Sequence, residues 1–147
     1  MHPFDLKTAL LAKHAQHVVL IHFPIALYFI GVLLDILSAG RKKSAMSLAA
    51  YYNLAIAAMS TVPVIATGLL AWRFALEGQA LKGILLQHLL LAVTSSALIV
   101  ITWWIHRQAR RSEGEFLPLG RLPVEILTVG LLGLTGHLGG FLSGVNV

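Results

Sequence analysis

The stretch VVLIHFPIALYFIGVLLDIL, residues 18–37, decides the fold. It runs twenty residues with Asp35 as its only charge. A helix rises about 1.5 Å per residue and a bilayer's hydrocarbon core is about 30 Å thick, so such a stretch crosses a membrane once. Three further stretches read the same way. Residues 54–72, with a start nearer Ala49, and residues 84–105 carry no charge at all, and residues 122–142 carry only Glu125, close to their start. The sequence therefore predicts an all-α integral membrane protein. Its architecture is a four-helix transmembrane bundle running up, down, up and down, with residues 1–147 as one domain. Residues 4–16 read as a short amphipathic helix at the interface, with Phe4, Leu10 and Leu11 towards lipid.

Composition agrees. Apolar residues make up 57% of the 147-residue chain and charged residues 12%, and the mean hydropathy is +0.81. Soluble domains hold roughly 45–50% and about 25%. The net charge of +5 does not imply nucleic acid, because the basic residues gather between the spans. They stand as Arg41, Lys42 and Lys43, then Arg107, Arg110 and Arg111, then Arg121. That is the pattern of loops held on one side of a membrane. The chain has no cysteine, which excludes disulfides, thiolate metal sites, iron–sulfur clusters and covalently attached c-type haem.

The connections are residues 38–48, 73–83 and 106–121. The first and third together hold seven Lys and Arg, against four in the N-terminus and the second connection. The positive-inside rule then places both termini outside, which is the periplasm for a bacterial inner-membrane protein. In this reading His106, next to Arg107, is solvated, and Asp35 pairs with Arg41 or Lys42. Pro63 kinks its helix, and Trp72, Trp103 and Trp104 anchor the interfaces.

The functional signal lies in histidines at the opposite end. His17 and His22 open the first span, His88 lies near the start of the third, and His137 near the end of the fourth. His22 and His88 each sit about 6 Å inside their segments and His137 about 7.5 Å inside, a shared depth on three helices. Neutral imidazole ligates haem iron, copper and zinc. Positions 17 and 22 are about 140° apart on a regular helix, so both face one ion only if the first turn is distorted. Pro24 supplies a cause, because it removes a helical hydrogen bond and crowds the carbonyl of Leu20. His137 lies in GLLGLTGHLGGFLSG, whose glycines either permit close helix packing or leave room for a flat macrocycle. Arg73 stands at the boundary of the same end, where it can pair with a haem propionate or snorkel to headgroups.

Other chemistries find little support. The chain has no Walker-type phosphate loop and no HExxH motif. Its six carboxylates are too few and too distant from the histidines for a di-iron site. Three readings follow. One is a b-type cytochrome subunit, with one or two haem b groups held by pairs drawn from His22, His88, His137 and His17, exchanging electrons with quinone or with a separate iron–sulfur or cytochrome chain. The second is a nonhaem copper or zinc site on the same histidines. The third is a noncatalytic subunit of a larger complex, its histidines bonding helix to helix.

The motifs HVVLIHFPIAL, TGLLAW and TGHLGGFLSGV, in this order, resemble the family of small bacterial membrane proteins catalogued as domain of unknown function 2231. The resemblance covers His17 to Val145. Some members are fused to Rieske-type iron–sulfur or cytochrome domains, which implies a redox setting. An electron partner of this protein would then be a separate chain.

Overall fold

The computed structural model describes residues 13–144, and the greater part of the expected interfacial helix lies outside them. Five helices follow in order: α1 (Lys13–Leu20), α2 (His22–Leu37), α3 (Ala45–Phe74), α4 (Gly83–Arg111) and α5 (Arg121–Leu142). Four candidate spans result, Gln16–Leu37 (across α1 and α2), Ala45–Phe74, Gly83–Arg111 and Arg121–Leu142. Among the described residues the fold is all-α, apart from one isolated bridge between Arg41 and Phe116.

The break between α1 and α2 falls at Ile21, whose backbone stays helical (φ −59°, ψ −26°). Pro24 has no N–H to give the carbonyl of Leu20, so the helical ladder misses one rung there. Pro63 is tolerated inside α3, which is continuous over 30 residues. Ser44 starts α3 by accepting the amide of Ser47 at 3.1 Å, a normal N-cap.

α2 packs most broadly against α3, and α4 against α5, while α3 joins the two hairpins. The α2–α3 approach is close because Gly31 faces Leu54: a methyl group at Gly31 would stand 3.0 Å from that side chain. Buried apolar residues Tyr28, Val32, Leu54, Ala57, Ala58, Ile99 and Leu132 form the core. The loops at the arginine-rich end are tied together. Lys42 N–H donates to the Glu115 carbonyl at 2.8 Å and Leu117 N–H to Gly40 at 2.7 Å. Arg110 donates to Lys42 O at 3.1 Å, Ser47 O at 2.5 Å and Ser47 Oγ at 2.9 Å. It therefore fastens α4 to the start of α3.

The core thins towards the histidine end, where Pro24 and Ala71 are buried. No residue of α3 between 62 and 70, of α4 before Ser95, or of α5 after Thr135 is buried. The helices there are as apolar as elsewhere, yet they enclose little. Overpacking at the tight α2–α3 contact gives a test of the fold. Gly31→Leu should lower stability by about 1–3 kcal/mol, read as a lower unfolding midpoint in detergent. An unchanged midpoint would contradict this packing.

Candidate functional site

Two constellations divide the bundle. The first is a buried polar group near the arginine-rich end. Arg121 Nε donates to Asp35 Oδ2 at 2.6 Å, and its Nη1 donates to Pro118 O at 3.0 Å. His106 Nε2 meets Glu125 Oε1 at 2.7 Å. Asp35, His106 and Glu125 are fully buried and Arg121 is 3% exposed. Asp35, His106 and Glu125 each offer a ligand atom within 4.8 Å of the others. Below them Tyr28 donates to Thr102 Oγ1 at 2.9 Å, since the Thr102 proton goes to its own helix at Leu98 O.

This group corrects the sequence reading. α4 runs to Arg111 rather than ending at Ile105, so His106 points into the bundle and is not solvated. Asp35 pairs with Arg121, not with Arg41 or Lys42, because Arg121 is the first residue of α5 and faces α2. Trp103 packs against the core, and only Trp104 is exposed. The signal was present as spacing. Arg121, Glu125, Thr128 and Thr135 lie on one face of α5, and His106, Thr102, Ser95 and His88 on one face of α4, at steps of three, four and seven. His88 and His106 are eighteen residues apart, five full turns or about 27 Å. The two polar faces meet, with Ser95 Oγ and Thr135 Oγ1 3.3 Å apart.

The second constellation is the histidine end, where the four candidates divide by direction. His17 and His88 point inward across their hairpins. His17 Nδ1 lies 3.3 Å from Thr67 Oγ1, and that hydroxyl donates to Pro63 O at 2.8 Å, so the ring nitrogen is the donor. His88 Nδ1 lies 3.1 Å from Thr135 O, and a carbonyl can only accept. Both neutral rings therefore carry their lone pair on Nε2. Each ring also rests on a glycine: a methyl group at Gly68 would stand 3.0 Å from His17 Cε1, and one at Gly139 3.3 Å from His88 Cε1. The two hairpins thus repeat one device, an inward histidine on the first helix against Thr and Gly on the second.

His22 and His137 point outward. His22 is exposed and donates from Nδ1 to Val18 O at 2.8 Å. His137 is exposed, with Phe141 edge-on at 5.0 Å, and it lies about 200° around α5 from Thr135, where His88 docks. His137 therefore projects from the side of α5 opposite to the one where His88 docks. Shared depth did not mean shared direction. Arg73 is exposed at the same end, over the Phe74 ring at 5.8 Å. Around the other α5 glycines, a methyl group at Gly130, Gly133 or Gly136 would meet nothing within 4 Å among the described residues, so none of the described helices packs closely there.

Each of the two inward rings has one nitrogen engaged, as a ligating imidazole does. A ligating imidazole normally donates its second nitrogen to a carbonyl, carboxylate or water, which fixes the tautomer and the ring plane. Thr135 O does this for His88, and the Thr67 hydroxyl plays the equivalent part for His17. A nonhaem ion held by three imidazoles is less well prepared: among the described residues no three of these histidines bring ligand atoms within 4.8 Å.

The buried pairs predict a pattern in stability. Asp35→Ala leaves Arg121 uncompensated and should cost about 3–5 kcal/mol, whereas Asp35→Leu combined with Arg121→Met should recover most of that loss. Unfolding midpoints in mixed micelles check it; equal losses in the single and double variants would contradict it.

Comparison with known proteins agrees with the membrane architecture. The family model described as "Predicted membrane protein (DUF2231)" matches residues 13–145. The comparison with curated proteins and that with solved structures each find no match. With four apolar spans and a family match over nearly its whole length, the chain belongs to the family of predicted membrane proteins known as domain of unknown function 2231.

Proposed function

We propose that the protein is a membrane b-type cytochrome subunit that passes electrons through haem b held at the histidine end. The observation that carries this reading is the combination of inward imidazoles with a bundle half that has no closed apolar core. Helices of this length and apolarity normally bury side chains against one another along their whole contact. Here burial thins beyond Ser95 and Thr135, where Pro24 and Ala71 are the buried residues among those described. At that level His17 rests on its Thr67–Gly68 seat and His88 on its Thr135–Gly139 seat.

His17 and His88 would hold the haem in this reading, one from each hairpin. Haem bound there would supply one-electron chemistry, with the potential set by its ligands, their hydrogen bonds and the local dielectric. Thr67 and Thr135 would fix the ring planes. Arg73 would pair with a propionate. His22 and His137 face away, so a second haem would need a neighbouring chain. By the positive-inside count the site lies near the periplasmic face of a bacterial inner membrane, with both termini on that side. Quinone in the bilayer, or a separate iron–sulfur or cytochrome subunit, would be the electron partner.

One observation favours a second reading. The open glycine face of α5 suits a subunit that packs against a larger membrane complex, with its histidines as structural contacts.

Absorption spectra of gently purified protein, oxidised and dithionite-reduced, with iron, copper and zinc measured alongside, separate these readings. The cytochrome reading expects a Soret band that sharpens on reduction. His17→Ala or His88→Ala should abolish it, and His22→Ala or His137→Ala should leave it. A featureless spectrum from cells with ample haem would overturn the reading. Loss of the band only in the His22 or His137 variants would overturn the inward assignment.

A further inference from the structure

The group formed by Asp35, Arg121, Glu125 and His106 has a charge problem that points to a ligand. Two carboxylates and one guanidinium leave it one negative charge from neutrality while the imidazole is uncharged. Burying an uncompensated charge is expensive. Three of its polar atoms, Asp35 Oδ1, Glu125 Oε2 and His106 Nδ1, are buried and have no hydrogen-bond partner among the described residues. The groups that act on Glu125 are Asp35 and Tyr28 of α2, His106 of α4 and Arg121 of its own helix.

One added proton balances the charges. While Glu125 is ionised, His106 Nε2–H donates to Glu125 Oε1, so His106 Nδ1 and Glu125 Oε2, the atoms without a partner among the described residues, are open to the added proton. A divalent cation on the same three side chains would leave the group one positive charge in excess beside Arg121. The pair itself is fully buried, and the nearest opening is reached past Arg121 and Asp35. A cleft of about 410 Å³ opens on the arginine-rich side, bordered by Gly40, Phe116, Leu117, Leu119 and Arg121. Arg121 thus lies between the cleft and Asp35. On the inner side the polar seam from Tyr28 and Thr102 stops at the buried apolar pair Ile99 and Leu132.

We infer that His106 and Glu125 form a proton-binding site, loaded and unloaded through the cleft beside Arg121 and closed towards the histidine end. The step is a simple transfer. A hydronium ion in the cleft gives up a proton to the pair: its O–H bond breaks and leaves water, and a new N–H bond at His106 Nδ1 or O–H bond at Glu125 Oε2 holds the proton. No electron moves. The site stands whether or not haem is bound at the other end.

The test uses the intact chain in lipid nanodiscs, with ¹⁵N-labelled histidine. His106 imidazole resonances are followed by NMR against pH, and carboxyl stretches by infrared difference spectra. The expected result is one shared single-proton step in both signals, lost in Glu125→Gln and retained in His22→Ala. In addition, Leu119→Trp, which fills the mouth of the cleft, should slow deuterium exchange of the pair severalfold without moving the step. Signals that stay fixed at every pH where the protein remains folded would overturn the proposal in favour of a static structural pair. Stoichiometric zinc or manganese retained by the purified chain, and released by Glu125→Gln, would overturn it in favour of a metal site. Exchange unaffected by Leu119→Trp would overturn the route.

Discussion

A guanidinium and a carboxylate taken out of water together, Arg121 against Asp35, constrain this bundle more than any apolar contact does. Lipid offers no water to replace a missing partner, so the two must meet, and they sit on the last turn of α2 and the first turn of α5. Their contact therefore sets the register of the first span against the fourth. The His106–Glu125 pair does the same for α4 and α5. Hydrophobic burial cannot supply that specificity, because in a membrane the outside of each helix is as apolar as its core. The closed apolar core sits beside these pairs, and the loops of the same end are stitched to each other through Gly40, Lys42 and Arg110.

The opposite half is held differently. Its inward contacts are imidazole against hydroxyl, carbonyl and glycine, one set in each hairpin, and they are longer than the contacts of the charged group. Such contacts orient a ring without filling volume. A bundle rigid at one end and loosely enclosed at the other has the form expected of a scaffold that positions something at its open end. A division of labour follows from the proposed reading: charge fixes the fold at the arginine-rich face, and histidine would carry function at the other.

The spans were legible because twenty apolar residues admit few alternatives, and the kink near Pro24 was legible because proline lacks a donor. The histidine end was legible as a depth, since rise per residue is fixed. Direction is not fixed by depth: it depends on which face each histidine shares with the other polar residues of its helix. The buried group is hidden for a related reason. His106 and Arg121 adjoin Arg107 and a polar loop, and the basic residues around them mask the continuation of α4 to Arg111. The repeat of polar residues at Arg121, Glu125, Thr128 and Thr135 carried the missing information. A polar stripe at helical spacing inside an apolar span marks a face turned away from lipid.

The central proposal, that His17 and His88, each seated on the second helix of its own hairpin, together hold haem, meets its most direct test in the frozen-solution electron paramagnetic resonance of the oxidised protein. The account predicts a low-spin ferric signal with the anisotropy of two imidazole ligands, in a protein whose fold persists when His22 and His137 are both replaced by alanine. A high-spin signal from one-sided ligation, or no ferric signal from haem-replete cells, would contradict it.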